Sequence, residues 1–235
     1  MEFRSDLIEA ILLKRLNQFL ADVALNPFDK RVICCLNEGN LQGCDVLGSR
    51  IWFSQHATGQ SVWELVETSG GHLAAVNQSL SPALVIEGIQ NGVIKELQGY
   101  EVCDVPDNLG GLEHVDLLLK SSSQAECCLK IQDMTLADEI GRGFFPDAVN
   151  AEAAKHLTTL IRKRNEGKRA VLFVCVKHTG IKHPFIAKHI DTQYCALVQD
   201  ALQAGVEIVA YKAAISLMQV VLVQPIVLKL PGHSL

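Results

Sequence analysis

The first 77 residues consist of short apolar runs separated by polar turns. Each run is rich in branched and aromatic residues and is bounded by Gly, Asn or Ser, which is typical of β-strands. Four strands are predicted in this way: 31–36 (RVICCL), 49–54 (SRIWFS), 61–67 (SVWELVE) and 72–76 (HLAAV). Strands at this spacing predict a small barrel of the oligonucleotide-binding type, although a sandwich or a meander would give much the same pattern.

The spacing of apolar residues changes at Ser81. Ser81 followed by Pro82 is typical of a helix N-cap and first helical position, and Gly99 is a suitable end. Apolar residues recur between them with a helical period, at Leu84, Val85, Ile89 and Val93. We therefore predict an OB-like barrel domain over residues 1–79 and an α/β domain over residues 80–235.

Strands and helices alternate through the second domain. Segments 115–119 (VDLLL) and 127–132 (CCLKIQ) predict a β-hairpin, and 169–176 (RAVLFVCV) and 206–211 (VEIVAY) predict further strands. Asp147 and Asp191 are predicted to cap two helices, the first burying Val149, Ala153, Leu157, Leu160 and Ile161, and 177–190 is predicted as a loop. Because strands separated by helices pair in parallel, the fold class is α/β (α+β overall) with a mixed central sheet.

The charge of the chain is unevenly distributed. The net charge is −5, which argues against a generally basic nucleic-acid binder, yet residues 155–188 contain nine Lys and Arg and one acid, Glu166. Such a stretch indicates either an anionic partner or a solvated helix face. The predicted contacts to nucleic acid are Lys155, His156, Arg162, Lys163, Arg164, Lys182 and Lys188.

The eight cysteines include no Cys-x-x-Cys pair, so no zinc ribbon is indicated. No apolar run approaches the length of a membrane span, and the N-terminus shows no cleavage site. These features predict a cytoplasmic protein with reduced thiols and no membrane partner. The sequence is compatible with a homo-oligomer but does not define one.

The order helix, hairpin, helix, strand, helix, strand is that of the PD-(D/E)XK nucleases. Their hairpin carries an Asp on one strand and Glu-x-Lys on the next. Carboxylate oxygens hold the Mg²⁺ that phosphodiester hydrolysis needs. Residues two apart on a strand face the same way, so the Glu and the Lys both reach the site.

The chain resembles the sugar fermentation stimulation protein A family over nearly its whole length. The matching segments are 19–23 (FLADV), 94–100 (IKELQGY), 144–149 (FFPDAV), 155–157 (KHL) and 205–213 (GVEIVAYKA), with a frame of Asn37, Gly39, Gly43, Cys44 and Gly48. The resemblance implies a bacterial protein with a barrel-like domain, a nuclease-like domain, DNA binding and a role in regulating sugar use.

The resemblance also identifies a catalytic centre that is partly lost. It places the family's hairpin Asp on Asp116 and a helix Glu on Glu87, but the Glu-x-Lys pair falls on Lys130 and Gln132. Like unit charges about 4 Å apart repel by roughly 4 kcal/mol at an effective dielectric near 20, so Lys130 disfavours a cation. We therefore predict no metal or other cofactor, and a contact between Lys130 and Asp116.

Three functions remain open on these residues. The favoured one is a regulatory DNA- or RNA-binding protein that does not cleave. The second is a protein-interaction paralogue, because Glu38, Ala83, His114 and Glu152 replace basic or phosphate-compatible residues of the family. The third is a Mg²⁺-dependent nuclease whose ligands are Asp116 with Glu87, Asp133 or Asp138.

Overall fold

The computed structural model describes residues 1–37, 39–56, 59–104 and 115–230. The chain begins with six strands: β1 (Ile8–Arg15), β2 (Leu20–Asn26), β3 (Asp29–Cys34), β4 (Arg50–Gln55), β5 (Ser61–Thr68) and β6 (His72–Ala75). They form one sheet in the order β3-β2-β1-β4-β5-β6, and a bridge between Cys34 and Val62 closes β1 to β5 into a barrel. The predicted small barrel is therefore confirmed.

The barrel contains two strands, β1 and β2, that were not predicted individually. In β1 apolar and polar residues do not alternate strictly: Leu12 is fully buried, and its neighbour Ile11 is also apolar although it is 37% exposed. The interior is filled by residues from all five barrel strands, among them Leu12, Val23, Ile33, Phe53 and Trp63. The Trp63 indole donates a hydrogen bond to the Leu65 carbonyl at 2.9 Å, so this large ring is buried without an unpaired donor.

The second domain contains three α-helices, nine strands and a 3-10 turn at Lys95–Leu97 within the described ranges. The helices are α1 (Ser81–Gln90), α2 (Ala151–Asn165) and α3 (Thr192–Gln203). The strands are β7 (Glu101–Asp104), β8 (Leu117–Lys120), β9 (Cys127–Met134), β10 (Leu136–Ala137), β11 (Arg142–Phe145), β12 (Arg169–Val176), β13 (His183–Ile186), β14 (Glu207–Ile215) and β15 (Val220–Pro225).

Six of these strands form the central sheet, in the order β15-β14-β12-β9-β8-β7. Strand β12 pairs in parallel with β9 and with β14, while β8 pairs antiparallel with β9 in the predicted hairpin. The sheet is therefore mixed, as predicted. Strands β10, β11 and β13 form a separate three-stranded sheet.

Strand β12 is covered on both faces, as its continuous apolar run predicts. Phe173 and Cys175 pack in a core with α1 and with barrel residues including Trp52. Leu172 and Val174 pack in a second core with α2 and α3. Because successive side chains of a strand point to opposite faces, one strand joins the two layers.

Two helix termini differ from the predictions. α1 ends at Gln90 and not near Gly99, because Gly92 turns the chain with a φ of 68°. α2 is capped by Asn150, whose side-chain oxygen accepts hydrogen bonds from the backbone N–H groups of Glu152 and Ala153, and not by Asp147. Val149 consequently precedes the helix and is 76% exposed, so its predicted burial is wrong.

Two other predicted details have opposite outcomes. The Asp191 side chain caps α3 by accepting a hydrogen bond from the Tyr194 N–H, which confirms that cap. The segment predicted as a loop contains strand β13, so that part of the prediction is wrong. The sequence of β13 is short and contains a Pro, so it does not indicate a strand, and the strand forms through its parallel pairing with β11.

The eight cysteines are free thiols, and burial raises the pKa of the Cys44 and Cys127 thiols to about 12. Such thiols remain protonated and behave as small apolar side chains. None of the helices in the described ranges has the length and apolar character that crossing a bilayer requires.

Candidate functional site

A cavity of about 370 Å³ lies where the barrel meets the second domain. A smaller cavity of about 60 Å³ adjoins it, sharing Asn37, Gln132 and His156 and extending to Phe144 and Asn150. We call the two together the cleft. The larger cavity is lined by Phe19, Leu36, Asn37, Gln78, Ser79, Ser81, Pro82, Asp116, Lys130, Ile131, Gln132, Asp133 and His156.

The hairpin of β8 and β9 places the Asp116 and Lys130 side chains together in the cleft. The Lys130 Nζ donates to the Asp116 Oδ1 at 2.8 Å, and the Ile131 N–H donates to the Asp116 Oδ2 at 2.6 Å. Both side chains are mostly buried, with 13% of Lys130 and 24% of Asp116 exposed. The predicted contact is therefore confirmed, and each oxygen of this carboxylate accepts a hydrogen bond from the protein.

Gln132 connects the hairpin to helix α2. Its side-chain amide nitrogen lies 3.0 Å from the Nδ1 of His156. Gln132 thus contributes a neutral amide that contacts a ring on the neighbouring helix. Gln132 and His156 line both cavities of the cleft, so this contact forms part of its wall.

A second Lys–Asp pair lies deeper, at the base of the cleft. The Lys177 Nζ is 2.6 Å from the Asp133 Oδ2, and the two side chains are 1% and 4% exposed. Lys177 also donates to the Asn77 carbonyl at 2.8 Å and to the Ser81 Oγ at 2.9 Å. The ammonium therefore has three oxygen partners, one for each of its donors.

The hydroxyl of Ser81 completes the contacts of Asp133. It lies 2.8 and 2.9 Å from the two carboxylate oxygens. Burial raises the pKa of the Asp133 carboxyl, while the Lys177 ammonium and the Ser81 hydroxyl act in the opposite direction. α1 begins at Ser81, and Leu80 occupies the N-cap position, so the predicted role of Ser81 as N-cap is wrong. The Ser81 side chain binds Asp133 instead.

The same network continues into the barrel. The Asn77 side chain donates to the Glu64 Oε2 at 2.9 Å, and the Ser54 hydroxyl donates to the Glu64 Oε1 at 2.6 Å. Ser54, Glu64 and Asn77 are all buried. Because buried polar groups are costly unless they are hydrogen-bonded, this satisfied network fixes how the barrel meets β9.

The carboxylates considered as relocated metal ligands each contact a cation. Glu87 lies 2.6 Å from the amino group of Met1 and is not among the residues lining the cleft. Asp138 lies 2.6 Å from the Nε of Arg142, and Asp133 pairs with Lys177. Within the described ranges, no group of three or more His, Cys, Asp or Glu is arranged to hold a metal ion.

Ion pairs neutralise most of the basic stretch. Within or next to it, Lys155 pairs with Glu152, and Arg162 and Lys163 pair with Glu166. Acids distant in sequence also contribute: Glu126 to Lys168, Glu207 to Arg169 and Asp133 to Lys177. Arg164, Lys182 and Lys188 have no ion-pair partner among the described residues.

The remaining predicted positions are divided between surface and interior. Lys163 is buried and His156 lies in the cleft, while Ala83 is exposed on α1. Glu38 and His114 lie outside the described residues. The sequence did not predict Phe19 or Asn37 as cleft residues, or Lys177 as the buried partner of Asp133. For Lys177 a signal existed, because a lone Lys that directly follows a continuously apolar strand has few routes to water.

The chain is similar to many proteins of one family. The family model "Sugar fermentation stimulation protein RE domain" matches residues 79–219. A sugar fermentation stimulation protein homolog of Marinomonas sp. (strain MWYL1) is 36% identical, with 98% of this chain and 91% of the relative covered. A homolog of Hahella chejuensis is 41% identical, with 87% of each covered.

A solved structure shows the same fold. The SfsA protein of Pyrococcus furiosus, determined in complex with Ca²⁺, superposes with a TM-score of 0.86 over 97% of this chain and 98% of its own. The two sequences are 22% identical, so the likeness supports the fold and does not extend to the ligand.

Proposed function

The chain belongs to the sugar fermentation stimulation protein family, and from that premise we propose that it binds nucleic acid in the cleft without cleaving it. A protein that binds without cutting acts by occupying its target, which fits a regulatory role. The observation that carries the proposal is the contact between Lys130 and Asp116.

The cleft does not fit a divalent cation such as the Ca²⁺ of the Pyrococcus furiosus protein. Hard cations require several oxygen ligands. Here Asp116 is engaged on both oxygens, and the neighbouring Lys130 ammonium would repel a cation. Because Glu87, Asp133 and Asp138 each contact another cation, a nuclease with relocated ligands is disfavoured.

The same residues are suited to an anionic polymer. Lys130, Gln132 and His156 bring an ammonium, an amide and a ring nitrogen to one wall of the cleft. Such donors bind phosphate and sugar oxygens and base edges. Lys182 and Lys188, which have no ion-pair partner among the described residues, add long-range attraction for phosphates.

A second candidate function is a protein-interaction paralogue. The observation that favours it is the ion pairing of the basic stretch, which leaves less free positive charge than the sequence suggests. Recovery of the native protein with a protein partner and without nucleic acid would favour this alternative.

Binding and cleavage can be tested together by fluorescence anisotropy and gel assay. We expect affinity for single-stranded or duplex oligonucleotides to fall steeply between about 50 and 200 mM salt, with no dependence on Mg²⁺ and no cleavage. Absence of binding to every oligonucleotide at low salt would overturn the proposal. So would Mg²⁺-dependent cleavage by the wild type that Asp116→Ala abolishes.

The loss of the metal centre can be tested by reversal. Lys130→Glu/Gln132→Lys restores the carboxylate and the lysine of the family pattern beside Asp116. We expect this variant to bind Mn²⁺ by titration calorimetry, whereas Lys130→Gln/Gln132→Lys, which lacks the new carboxylate, serves as the matched control. Equal Mn²⁺ binding by the wild type and the double variant would contradict the role assigned to Lys130.

A further inference from the structure

The small sheet of β10, β11 and β13 has one face directed toward the core and one away from it. Gly143 and Phe145 of β11 face inward: Phe145 is 7% exposed, and a Cβ on Gly143 would lie 2.7 Å from the Ile181 side chain. Arg142 and Phe144 alternate with them and therefore lie on the outer face. Neither Phe144 nor its cross-strand neighbour Phe185 belongs to a hydrophobic core cluster.

The register of this sheet aligns side chains in a row. Phe144 pairs with Leu136 on one side and with Phe185 on the other, and Phe185 is bridged to Lys229 of the C-terminal segment. Residues paired across strands share a face of the sheet. The outer face therefore presents two half-buried aromatic rings between an apolar residue and an exposed lysine.

The aromatic rings of the outer face contact one another. The rings of Phe144 and Phe185 are stacked, with centroids 6.1 Å apart and planes 26° apart. The His189 and Phe144 rings form a T-shaped pair with centroids 5.0 Å apart, and the Arg142 guanidinium lies 5.7 Å from the Phe144 ring centroid. Phe144 is thus flanked by protein groups, whereas Phe185 is half-buried at the edge of this set of contacts.

Three exposed lysines lie next to the strands that carry this row. Lys182 and Lys188 are exposed at the two ends of β13, and Lys229 is exposed beside Phe185. None of the three has an ion-pair partner among the described residues. Arg142 differs, because it pairs with Asp138, so the net attraction for an anion comes from the lysines.

We infer that the outer face of β11 and β13 is a stacking platform for single-stranded nucleic acid. The inference rests on the proposed function and extends it, because Phe144 also lines the cleft and joins it to the platform. Aromatic rings bind unpaired bases through their π-faces, while lysines hold the phosphates on either side. A duplex keeps its bases stacked on one another and offers no free base to such a platform.

The platform can be tested with probes that separate base stacking from phosphate charge. The first probe is a fluorescein-labelled oligothymidine of about 15 nucleotides, within the range of known single-strand sites. The second is an abasic strand with the same number of phosphates, and the third is a duplex. We expect the wild type to bind oligothymidine more tightly than the abasic strand.

Variants at Phe185 test whether its aromatic ring causes the preference for oligothymidine over the abasic strand. Phe185→Leu keeps apolar volume but removes the π-face, and we expect it to weaken oligothymidine binding roughly 5- to 50-fold without changing abasic affinity. Phe185→Tyr keeps the ring and should retain binding. The matched control is Phe28→Leu, because Phe28 is 99% exposed in the barrel turn between β2 and β3 and should not matter.

Lys229→Ala gives a second measurement that does not alter an aromatic contact. We expect it to reduce the slope of log affinity against log salt by about one unit, because one phosphate contact is lost. The Lys229 salt slope still tests the platform if Phe185→Leu destabilises the protein and lowers its thermal midpoint of unfolding. An unchanged salt slope would overturn the assignment of Lys229.

The outcomes distinguish the platform from the proposed function. Equal affinity for oligothymidine and the abasic strand, or an unchanged affinity of Phe185→Leu, would overturn the platform and leave nucleic-acid binding intact. Binding to duplex alone would do the same. Failure of the wild type to bind any of the three probes would overturn both.

Discussion

Strand β9 contributes to two Lys–Asp pairs that differ in their surroundings. Lys130 of β9 reaches Asp116, with 13% and 24% of the two side chains exposed, at the wall of the cleft. Asp133 of the same strand reaches Lys177, with 4% and 1% exposed, at the base of the cleft. The residue types are the same, and only the depth and the additional partners differ.

This difference separates the binding role proposed for the cleft pair from the structural role of the deep pair. The deep pair is enclosed by Ser81 and Asn77 and joins the barrel to the central sheet, so its charges stay fixed. The cleft pair keeps contact with solvent, so separating Lys130 from Asp116, as the proposed phosphate binding requires, costs less than separating the deep pair. A buried pair is expensive to break because the remaining charge has no water.

The largest expected effect is at Lys177. We expect Lys177→Met to lower the free energy of unfolding by about 3–5 kcal/mol, because it leaves the Asp133 carboxylate buried without a counter-charge. Urea denaturation monitored by circular dichroism measures this. Lys177→Met/Asp133→Leu, which removes both charges, should recover much of the loss. A loss below about 1 kcal/mol for the single variant would break the comparison.

The buried His178 should give the next largest effect, a loss of stability at acidic pH. Burial, with smaller contributions from His72 and Lys212, lowers the pKa of His178 to about 4. The Gly180 N–H donates to its Nδ1 at 3.0 Å, and the Thr68 hydroxyl lies 2.8 Å from its Nε2, which suits the neutral ring.

The unfolded chain binds a proton at His178 near pH 6.5, whereas the folded chain resists protonation down to about pH 4. Stability should therefore fall as the pH drops through this window, by up to about 3 kcal/mol. Denaturation at several pH values should show a shallower slope for His178→Gln than for the wild type. Identical slopes would contradict the assignment.

A smaller effect is expected at the cleft pair. Lys130→Met should lower the free energy of unfolding by about 1 kcal/mol or less, because Asp116 keeps the hydrogen bond from the Ile131 N–H and remains accessible to water. The same denaturation experiment gives this value. If Lys130→Met cost as much as Lys177→Met, the two pairs would be energetically equivalent and the distinction would fail.

The smallest effect sets the baseline. Lys155 and Glu152 form a pair on the surface of α2 with more than half of each side chain exposed, 58% and 53%. Lys155→Ala should change the free energy of unfolding by less than about 0.5 kcal/mol. A change as large as that of Lys130→Met would show that the cleft pair contributes no more to the free energy of unfolding than a pair on the surface.

Much of the fold could be predicted from local pattern, because burial imposes a period on each element. The run at 169–176 predicted a strand covered on both faces, and β12 occupies those residues. The hairpin that holds Asp116 and Lys130 followed in the same way. The caps were less predictable, since Asp147 and Asn150 are both good cap residues and only the second begins α2.

The candidate site was predictable only in part. The family resemblance singled out Asp116 and Lys130, and their opposite charges on adjacent strands then predicted the contact that the structure shows. The sequence does not show which of Phe144 and Phe145 faces outward, although neighbouring residues of a strand point to opposite faces. The platform depends on Phe185 and Lys229, which come from separate segments that only the fold pairs.

By itself the sequence predicted the hairpin and the mixed sheet, and it left a barrel, a sandwich or a meander open for the first 77 residues. The replacement of a carboxylate by the ammonium of Lys130 followed from the family resemblance. The tertiary structure alone decided which charges meet. The stretch 155–188 is strongly basic when counted along the chain, but Glu126, Glu207 and Asp133 reach it from neighbouring strands. Electrostatic interaction depends on distance in space and on burial, and neither can be counted along a chain.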